Sequence, residues 1–192
     1  KDISKNRLSF GSVFDQVNRS QGEWLRFFFD HGNCICHPTM VIRRECYAAL
    51  GAYNNNLRQL PDFDMWIRLV KQYPIHISER ELISFRVLPG ESASSQTVGN
   101  SVRTMNEHFL IAQTFFHGVE EQQLKDGFSD LLRYPDTLSE LDLEIEKALL
   151  FFAPNKGLGR AYQMIGILEM NRLLGLEEHR KVLAQAYGID GR

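Results

Sequence analysis

The sequence predicts an α+β chain that is mostly helical, with short strands in its first hundred residues and a helical, bundle-like tail after them. Short β-branched runs alternate with amphipathic stretches up to about residue 100, whereas apolar residues recur at helical spacing in the tail. The charge balance changes at the same place. Residues 1–100 carry 12 Lys and Arg against 10 Asp and Glu, and residues 101–192 carry 10 against 14. We therefore expect two regions, 1–100 and 101–192.

The overall composition indicates a soluble globular chain, with 43% hydrophobic and 24% charged residues among 192. A formal net charge of −2 gives no electrostatic argument for binding nucleic acid or an anionic membrane. No apolar run approaches the roughly 18 residues that a membrane span needs. We therefore expect no nucleic-acid partner and no membrane span.

Local signals in the first region predict two helices and a turn. Ser20-Gln21-Gly22-Glu23 is a capping box that leads into an amphipathic helix over Trp24–His31, which Gly32-Asn33 ends. A short helix over Arg44–Leu50 is closed by Gly51, and three asparagines at 54–56 indicate a turn.

Three strands are predicted in the same region: Cys34–Ile42, which Pro38 interrupts, Pro74–Ile77 and Leu82–Val87. A polar loop follows over residues 89–95. The tail predicts helices over Ser101–Phe116, Glu120–Arg133, Leu138–Phe152, Gly159–Leu174 and Glu177–Tyr187.

The most informative segment is Pro61-Asp62-Phe63-Asp64-Met65-Trp66-Ile67-Arg68-Leu69, where two carboxylates precede an amphipathic helix. Carboxylates at a helix start are favoured by the helix dipole and by free backbone N–H groups. Such an Asp can act as a general base, but capping the helix is the commoner use. The spacing by itself favours the cap.

The three cysteines, Cys34, Cys36 and Cys46, are too few for a disulfide framework. Cys34 and Cys36 would point to opposite faces of a strand. A zinc site with His37 lacks four well-spaced ligands. Reduced, buried thiols in a cytoplasmic protein are the better interpretation, and a metal or thiol protein is the weakest of the functional hypotheses.

Three linked segments resemble the later half of a family 2 glycosyltransferase of the GT-A fold. They are Gly32-Asn33-Cys34-Ile35-Cys36-His37-Pro38-Thr39-Met40-Val41-Ile42-Arg43-Arg44, then Gly51-Ala52-Tyr53, then the segment from Asp62 to Leu69. Their order and spacing match the family, and the resemblance covers roughly residues 32–95. It implies that residues 1–100 are the acceptor-side part of a GT-A domain.

The resemblance implies transfer of a sugar, with inversion, from a nucleotide-diphosphate donor to an acceptor hydroxyl. The family's catalytic base maps onto Asp62, although Pro61 stands where the family has Glu. Asp64 becomes a helix cap or an acceptor-binding group. The resemblance makes three further residues candidates for substrate binding: Trp66, His37 and Arg86. The alternative for Trp66 is a place in the core, and the alternative for His37 is a hydrogen-bonded position at a strand kink. The alternative for Arg86 is a salt bridge at a strand edge.

The resemblance also implies partners that the chain does not fully accommodate. The family binds its donor and a divalent metal, Mg or Mn, through an N-terminal half that ends in an Asp-x-Asp segment, and no such half precedes residue 30. We therefore expect a fragment of a longer enzyme, inactive alone, whose parent uses a nucleotide-sugar donor and a glycan or lipid-linked acceptor in cell-surface polysaccharide synthesis. A cut sheet would expose edges that favour a homo-oligomer.

The predicted location is the cytoplasm, with the inner face of the membrane as one option. The competing hypothesis is a non-catalytic helical interaction module, in which the tail docks a partner and the carboxylates only cap a helix.

Overall fold

The computed structural model describes residues 11–80, 82–84, 97–136, 138–154 and 159–190. Within these ranges the chain forms helices and no strand, so the predicted α+β class with a partial GT-A sheet is wrong for this part of the chain. The α-helices are α1 (Gly11–Phe14), α2 (Gln21–His31), α3 (Arg44–Leu50), α4 (Pro61–Gln72), α5 (Val98–Gln113), α6 (Glu121–Phe128), α7 (Glu140–Leu150), α8 (Gly159–Leu174) and α9 (Glu177–Val182). The chain divides into two compact units, Lys1–His108 and Phe109–Arg192.

The first unit is built on α2 and α4, which pack against each other. Ser20 caps α2 through the predicted capping box, in which its hydroxyl accepts from the Glu23 N–H while the Glu23 carboxylate accepts from the Ser20 N–H. Gly32 ends the helix with φ 78° and ψ −155°, a conformation that essentially only glycine adopts. The predicted helix and both of its signals are confirmed.

Aromatic side chains form the core between α2 and α4. Trp24, Phe28 and Trp66 are fully buried, and the Phe28 and Phe63 rings meet edge to face with centroids 5.6 Å apart. Gln21 Nε2 donates to the Val70 carbonyl across 2.6 Å, joining the start of α2 to the end of α4. Burial of these large apolar surfaces is the main contribution to the stability of the unit.

The predicted strand over Cys34–Ile42 is wrong because this segment pairs with no neighbouring strand among the described residues. A 3-10 turn over His37–Thr39 occupies its centre, and Thr39 Oγ1 donates to the Cys36 carbonyl across 2.7 Å. Pro38 lies within the turn and has no N–H to give to a sheet. The apolar side chains Cys34 and Ile35 are buried without a sheet.

The predicted strand over Pro74–Ile77 is also wrong, and a side chain stands where a partner strand would be. Asn18 Oδ1 accepts from the Ile77 N–H across 2.7 Å, and Asn18 Nδ2 donates to the Ile77 carbonyl across 3.0 Å. Of the predicted strand over Leu82–Val87, residues 82–84 are not a strand, and the rest lies outside the described residues. With no sheet in the described part, the predicted homo-oligomer through sheet edges loses its basis there.

The second unit is a helical cluster in which α7, α8 and α9 pack on one another. Its core comprises Ile145, Ala148, Met170, Leu173, Leu183 and Tyr187. The fully buried Glu146 carboxylate accepts the N–H groups of Arg133 and Tyr134, both at 3.0 Å, and the Tyr187 hydroxyl at 3.2 Å. A buried acidic group is tolerated here because several donors surround it.

The helical character of the tail is confirmed, while the bounds differ from the prediction at several ends. The helix over Gly159–Leu174 has the predicted limits, and Arg44–Leu50 in the first unit does as well. Glu120–Arg133 is helical only to Phe128, and Glu177–Tyr187 finishes as a π-helical turn over Leu183–Tyr187.

Candidate functional site

Asp62 is the second residue of α4, and a neutral amide from another part of the chain holds its half-buried carboxylate. Asn33 Nδ2 donates to Asp62 Oδ2 across 3.1 Å, while Asn33 Oδ1 accepts from the Ile35 N–H. Asp62 Oδ1 accepts from the Phe63 N–H at 2.8 Å. A carboxylate has about four lone-pair sites, so these two bonds leave Asp62 with capacity to accept a further proton donor.

Asp64 lies two residues further along α4 in a different environment, because Arg68 binds it. The Arg68 guanidinium lies 2.8 Å from Asp64 Oδ2, and it also donates to the Leu50 carbonyl at 2.8 Å and the Ala52 carbonyl at 3.1 Å. Arg68 therefore forms an ion pair within α4. These bonds attach the end of α3 to α4, which gives Asp64 a structural role.

A shallow groove beside this helix is lined by aromatic and apolar side chains. Its volume is about 410 Å³, within the range of small-molecule sites. The lining residues are His37, Pro38, Met40, Ile42, Tyr47 and Tyr53. The His37 ring lies 5.1 Å from the Tyr53 ring, and the Tyr47 and Tyr53 hydroxyls are 3.3 Å apart. The groove therefore offers ring faces together with a pair of hydroxyl groups.

The charge of Asp62 contributes to the pKa values of Tyr53, which lines the groove, and of Cys36. Burial, and after it the hydrogen bond with Tyr47, raises the pKa of Tyr53, and the Asp62 charge acts in the same direction. The pKa of Cys36 is raised by burial and then by Asp62. In both groups the Asp62 charge adds to the larger effect of burial.

Trp66 forms a wall behind the groove. Its side chain is fully buried, and its ring centroid lies 5.8 Å from that of His37 and 6.4 Å from that of Tyr53. A buried indole of this kind supports the rings that line the groove, which is the core role that the sequence left open for it. His37 itself is exposed at the groove edge.

The remaining predicted residues do not join this cluster in the described part of the chain. Arg86 and the loop over residues 89–95 lie outside the described residues. Arg43 and Arg44 are exposed at the start of α3. All three cysteines are free, and burial raises the pKa of Cys34 to about 11.

The divalent metal implied by the resemblance is not matched by the described residues. No group of three or more His, Cys, Asp or Glu side chains in that part of the chain is placed to hold a metal ion. Asp62-Phe63-Asp64 has the form of an Asp-x-Asp segment, but the Asp64 carboxylate forms an ion pair with Arg68. Cys34, Cys36 and His37 form no such group either.

Sequence reasoning missed two residues of this region. Asn33 was a motif position without an assigned role, and only the fold brings it to Asp62. Glu107 is 4% exposed on α5, and its carboxylate accepts backbone N–H groups just before α4. A signal for Glu107 was hard to find, because the buried face of this part of α5 is polar while the apolar Val102 and Met105 are exposed.

No protein-family model, no curated protein and no solved structure matches this chain. Among the described residues, none of the helices has the length and apolar character required to cross a bilayer.

Proposed function

We propose that the segment from Asn33 to Arg68 is the acceptor side of an inverting glycosyltransferase. The reaction is transfer of a sugar from a nucleotide-diphosphate donor to an acceptor hydroxyl, in the synthesis of a cell-surface polysaccharide or glycan. The observation that carries the proposal is the environment of Asp62: the Asn33 amide orients its carboxylate at the start of the helix whose Trp66 packs against the groove rings, whereas Arg68 binds the neighbouring Asp64. The resemblance of the three linked segments supports the same reaction.

In this proposal Asp62 is the general base. It takes the proton of the acceptor hydroxyl as the hydroxyl oxygen attacks the anomeric carbon, and the nucleoside diphosphate leaves from the opposite face of the sugar. The ring faces of His37 and Tyr53 and the hydroxyls of Tyr47 and Tyr53 bind the acceptor in the groove. Asn33 orients the base without neutralising it, because an amide carries no charge.

The test is the effect of Asp62→Asn on sugar transfer by the protein that the complete reading frame encodes. We would measure nucleoside-diphosphate release from UDP-, GDP- and dTDP-hexoses with monosaccharide and polyprenyl-phosphate-linked acceptors. Removing a general base costs about 10²–10⁴-fold in rate, so Asp62→Asn should lose at least a hundredfold in kcat with donor binding retained. Full turnover by Asp62→Asn would exclude this assignment.

Asp64→Asn is the matched control, because Asp64 lies on the same helix and carries the same charge. Since Arg68 binds Asp64, this variant should lose stability and keep most of its kcat. An equal loss of kcat in both variants would show that general damage to α4, and not loss of a base, lowers the rate.

A second candidate is the non-catalytic helical module, which one bond favours. Asp62 Oδ1 accepts the Phe63 N–H at 2.8 Å, so the carboxylate already serves a backbone donor in the first turn of α4. In that case Asp62→Asn changes the stability little, because Asn and Asp serve about equally well at a helix start, and the protein of the complete reading frame transfers no sugar from any of the tested donors.

A further inference from the structure

The Glu107 carboxylate accepts three charge-assisted hydrogen bonds from the backbone of the first unit. Its Oε1 accepts the Arg58 N–H at 2.9 Å, and its Oε2 accepts the N–H groups of Gln59 at 2.7 Å and Leu60 at 2.8 Å. The side chain comes from α5, 47 positions after Leu60 in the chain. Three consecutive amides therefore converge on one buried carboxylate.

A buried carboxylate destabilises the folded state unless hydrogen-bond donors surround it. Moving a carboxylate out of water carries a large desolvation penalty, which is offset only when several donors surround the charge. Glu107 is 4% exposed, so these amides take the place of the water that would otherwise solvate its carboxylate. In turn, the backbone of residues 58–60 depends on Glu107 for its conformation.

This backbone leads directly into the helix that carries Asp62. Leu60 is the N-cap residue of α4 and has no side chain that can cap, and Pro61 at the first helical position has no N–H. The α4 start therefore lacks the usual local cap. A carboxylate from a distant helix fixes the chain just before it, two residues from Asp62.

The residue next to Glu107 contacts the other half of the site. The His108 ring meets the Phe63 ring edge to face at 5.4 Å. A Cβ atom at Gly32 would lie only 3.4 Å from His108 Cε1, so His108 also borders the turn that presents Asn33. Glu107 and His108 thus touch the chain on both sides of the Asn33–Asp62 hydrogen bond.

We propose that Glu107 is a positioning residue that fixes the start of α4 and thereby holds Asp62 against Asn33. The proposal deepens the proposed transferase function, because only the effect on rate rests on that function. The placement of Asp62 can be measured without any transfer reaction. Cys36 is the probe, because burial and then the Asp62 charge raise the pKa of its thiol.

The first measurement is hydrogen exchange of Glu107→Gln, which keeps the size of the side chain and removes its charge. The amides of Arg58, Gln59 and Leu60 should exchange at least tenfold faster than in the wild type, while the amides within α2 keep their protection. Unchanged exchange at these three amides would overturn the proposal, because it would show that Glu107 does not hold them.

The second measurement is the alkylation rate of Cys36 by iodoacetamide at pH 8. If Glu107 positions Asp62, Glu107→Gln should raise this rate toward that of Asp62→Asn, because the carboxylate moves away from the thiol. Faster amide exchange with an unchanged Cys36 rate would mean a merely structural role, and would overturn the positioning role.

The control for general destabilisation is Glu146→Gln. Glu146 is an equally buried carboxylate that accepts two backbone N–H groups, but it lies in the second unit. The Glu146→Gln variant should leave the alkylation rate of Cys36 unchanged.

Glu107→Asp serves as a second variant if Glu107→Gln fails to fold. It keeps the charge but has a side chain one methylene shorter. The alkylation rate of Cys36 should then lie between those of wild type and Asp62→Asn.

The transfer assay separates this proposal from the proposed function. In the protein of the complete reading frame, Glu107→Gln should lower kcat about tenfold with an unchanged KM for the donor, partly restored in Glu107→Asp. Loss of the Cys36 effect overturns the positioning role whatever the activity. If instead the Cys36 effect is present and Asp62→Asn transfers normally, the base assignment fails and the placement of Asp62 by Glu107 stands.

Discussion

Asn33 and Asp62 are joined by a 3.1 Å hydrogen bond although they lie 29 positions apart in the chain. The bond connects the turn after α2 to the first turn of α4. An amide donor fixes the direction of a carboxylate and leaves its negative charge in place. Asp64, two residues further on, has its charge balanced by Arg68.

Under the proposed function, replacing Asn33 by Asp should move the pH dependence of sugar transfer by the protein of the complete reading frame to higher pH. Two carboxylates would then face each other, and repulsion between like charges disfavours the state in which both are ionised. Because a general base must be ionised, the acidic limb of the kcat/KM profile should shift upward. Asn33→Ala is the control, since it removes the hydrogen bond without adding a charge, and the same profile in both variants would contradict the electrostatic explanation.

Alkylation of the cysteines should report the position of Asp62. Cys34 and Cys46 are buried, and burial raises the pKa of Cys34 to about 11, so both should react slowly in the folded protein. Cys36 is more accessible. In Asp62→Asn its pKa should fall, because one of the two causes that raise it is removed, and its alkylation at pH 8 should accelerate several-fold. Mass spectrometry of each cysteine peptide would measure this.

Asp64→Asn provides the comparison for that experiment. Its charge is paired with Arg68, and it is absent from the causes that raise the pKa of Cys36. The Cys36 rate should therefore stay near that of the wild type. Equal acceleration in both aspartate variants would indicate loosening of α4 instead of a specific charge effect.

Local signals in the sequence predicted much of the helical structure. The capping box at Ser20 and the glycines at 32 and 51 fixed the limits of α2 and α3, because these signals act within a few residues. The strand predictions failed for the opposite reason. A strand requires a partner, and at Ile77 the Asn18 side chain provides the hydrogen bonds that a partner would give.

The candidate site was predictable only in part. The carboxylates at the start of α4 and the aromatic Tyr53 stand in recognisable segments. Their environment depends on contacts between distant residues: Asn33 on Asp62, and Glu107 on the amides before α4. Helical periodicity could not indicate Glu107, because periodicity identifies the apolar face of a helix as the buried one. In this part of α5 the buried residue is the polar Glu107.

Replacing Gly32 by Ala should destabilise the first unit. Its φ of 78° and ψ of −155° fall in a region that costs other residues about 1–3 kcal/mol. The added Cβ would also press on His108 Cε1 at 3.4 Å. Gly99→Ala in α5 is the matched control: it has open space around it, and alanine favours a helix. Equal unfolding free energies for Gly32→Ala and wild type would contradict the prediction.

Both tryptophans, Trp24 and Trp66, lie in the core of the first unit. Urea unfolding followed by tryptophan fluorescence therefore reports on this unit. When Gly32→Ala is compared with Gly99→Ala by this fluorescence, unfolding of the second unit should not affect the result.

The stability of the first unit should fall on mild acidification because of His108. Burial lowers the pKa of His108 below its usual 6.5, and the neighbouring Glu107 charge opposes this without reversing it. The unfolded chain therefore takes up a proton at a higher pH than the folded chain does. The favourable contribution is complete above about pH 6.5 and is lost as the pH falls through the pKa of the folded state.

His108→Phe should reduce this loss, because phenylalanine keeps a ring against Phe63 and binds no proton. The free energy of unfolding, measured by tryptophan fluorescence at pH 7.5 and 5.5, should change less between the two pH values in this variant than in the wild type. His76→Gln removes an exposed histidine and should behave as the wild type does. Because Glu107 counteracts the effect of burial, Glu107→Gln should make the pH dependence steeper, and a shallower one would contradict the assignment to His108.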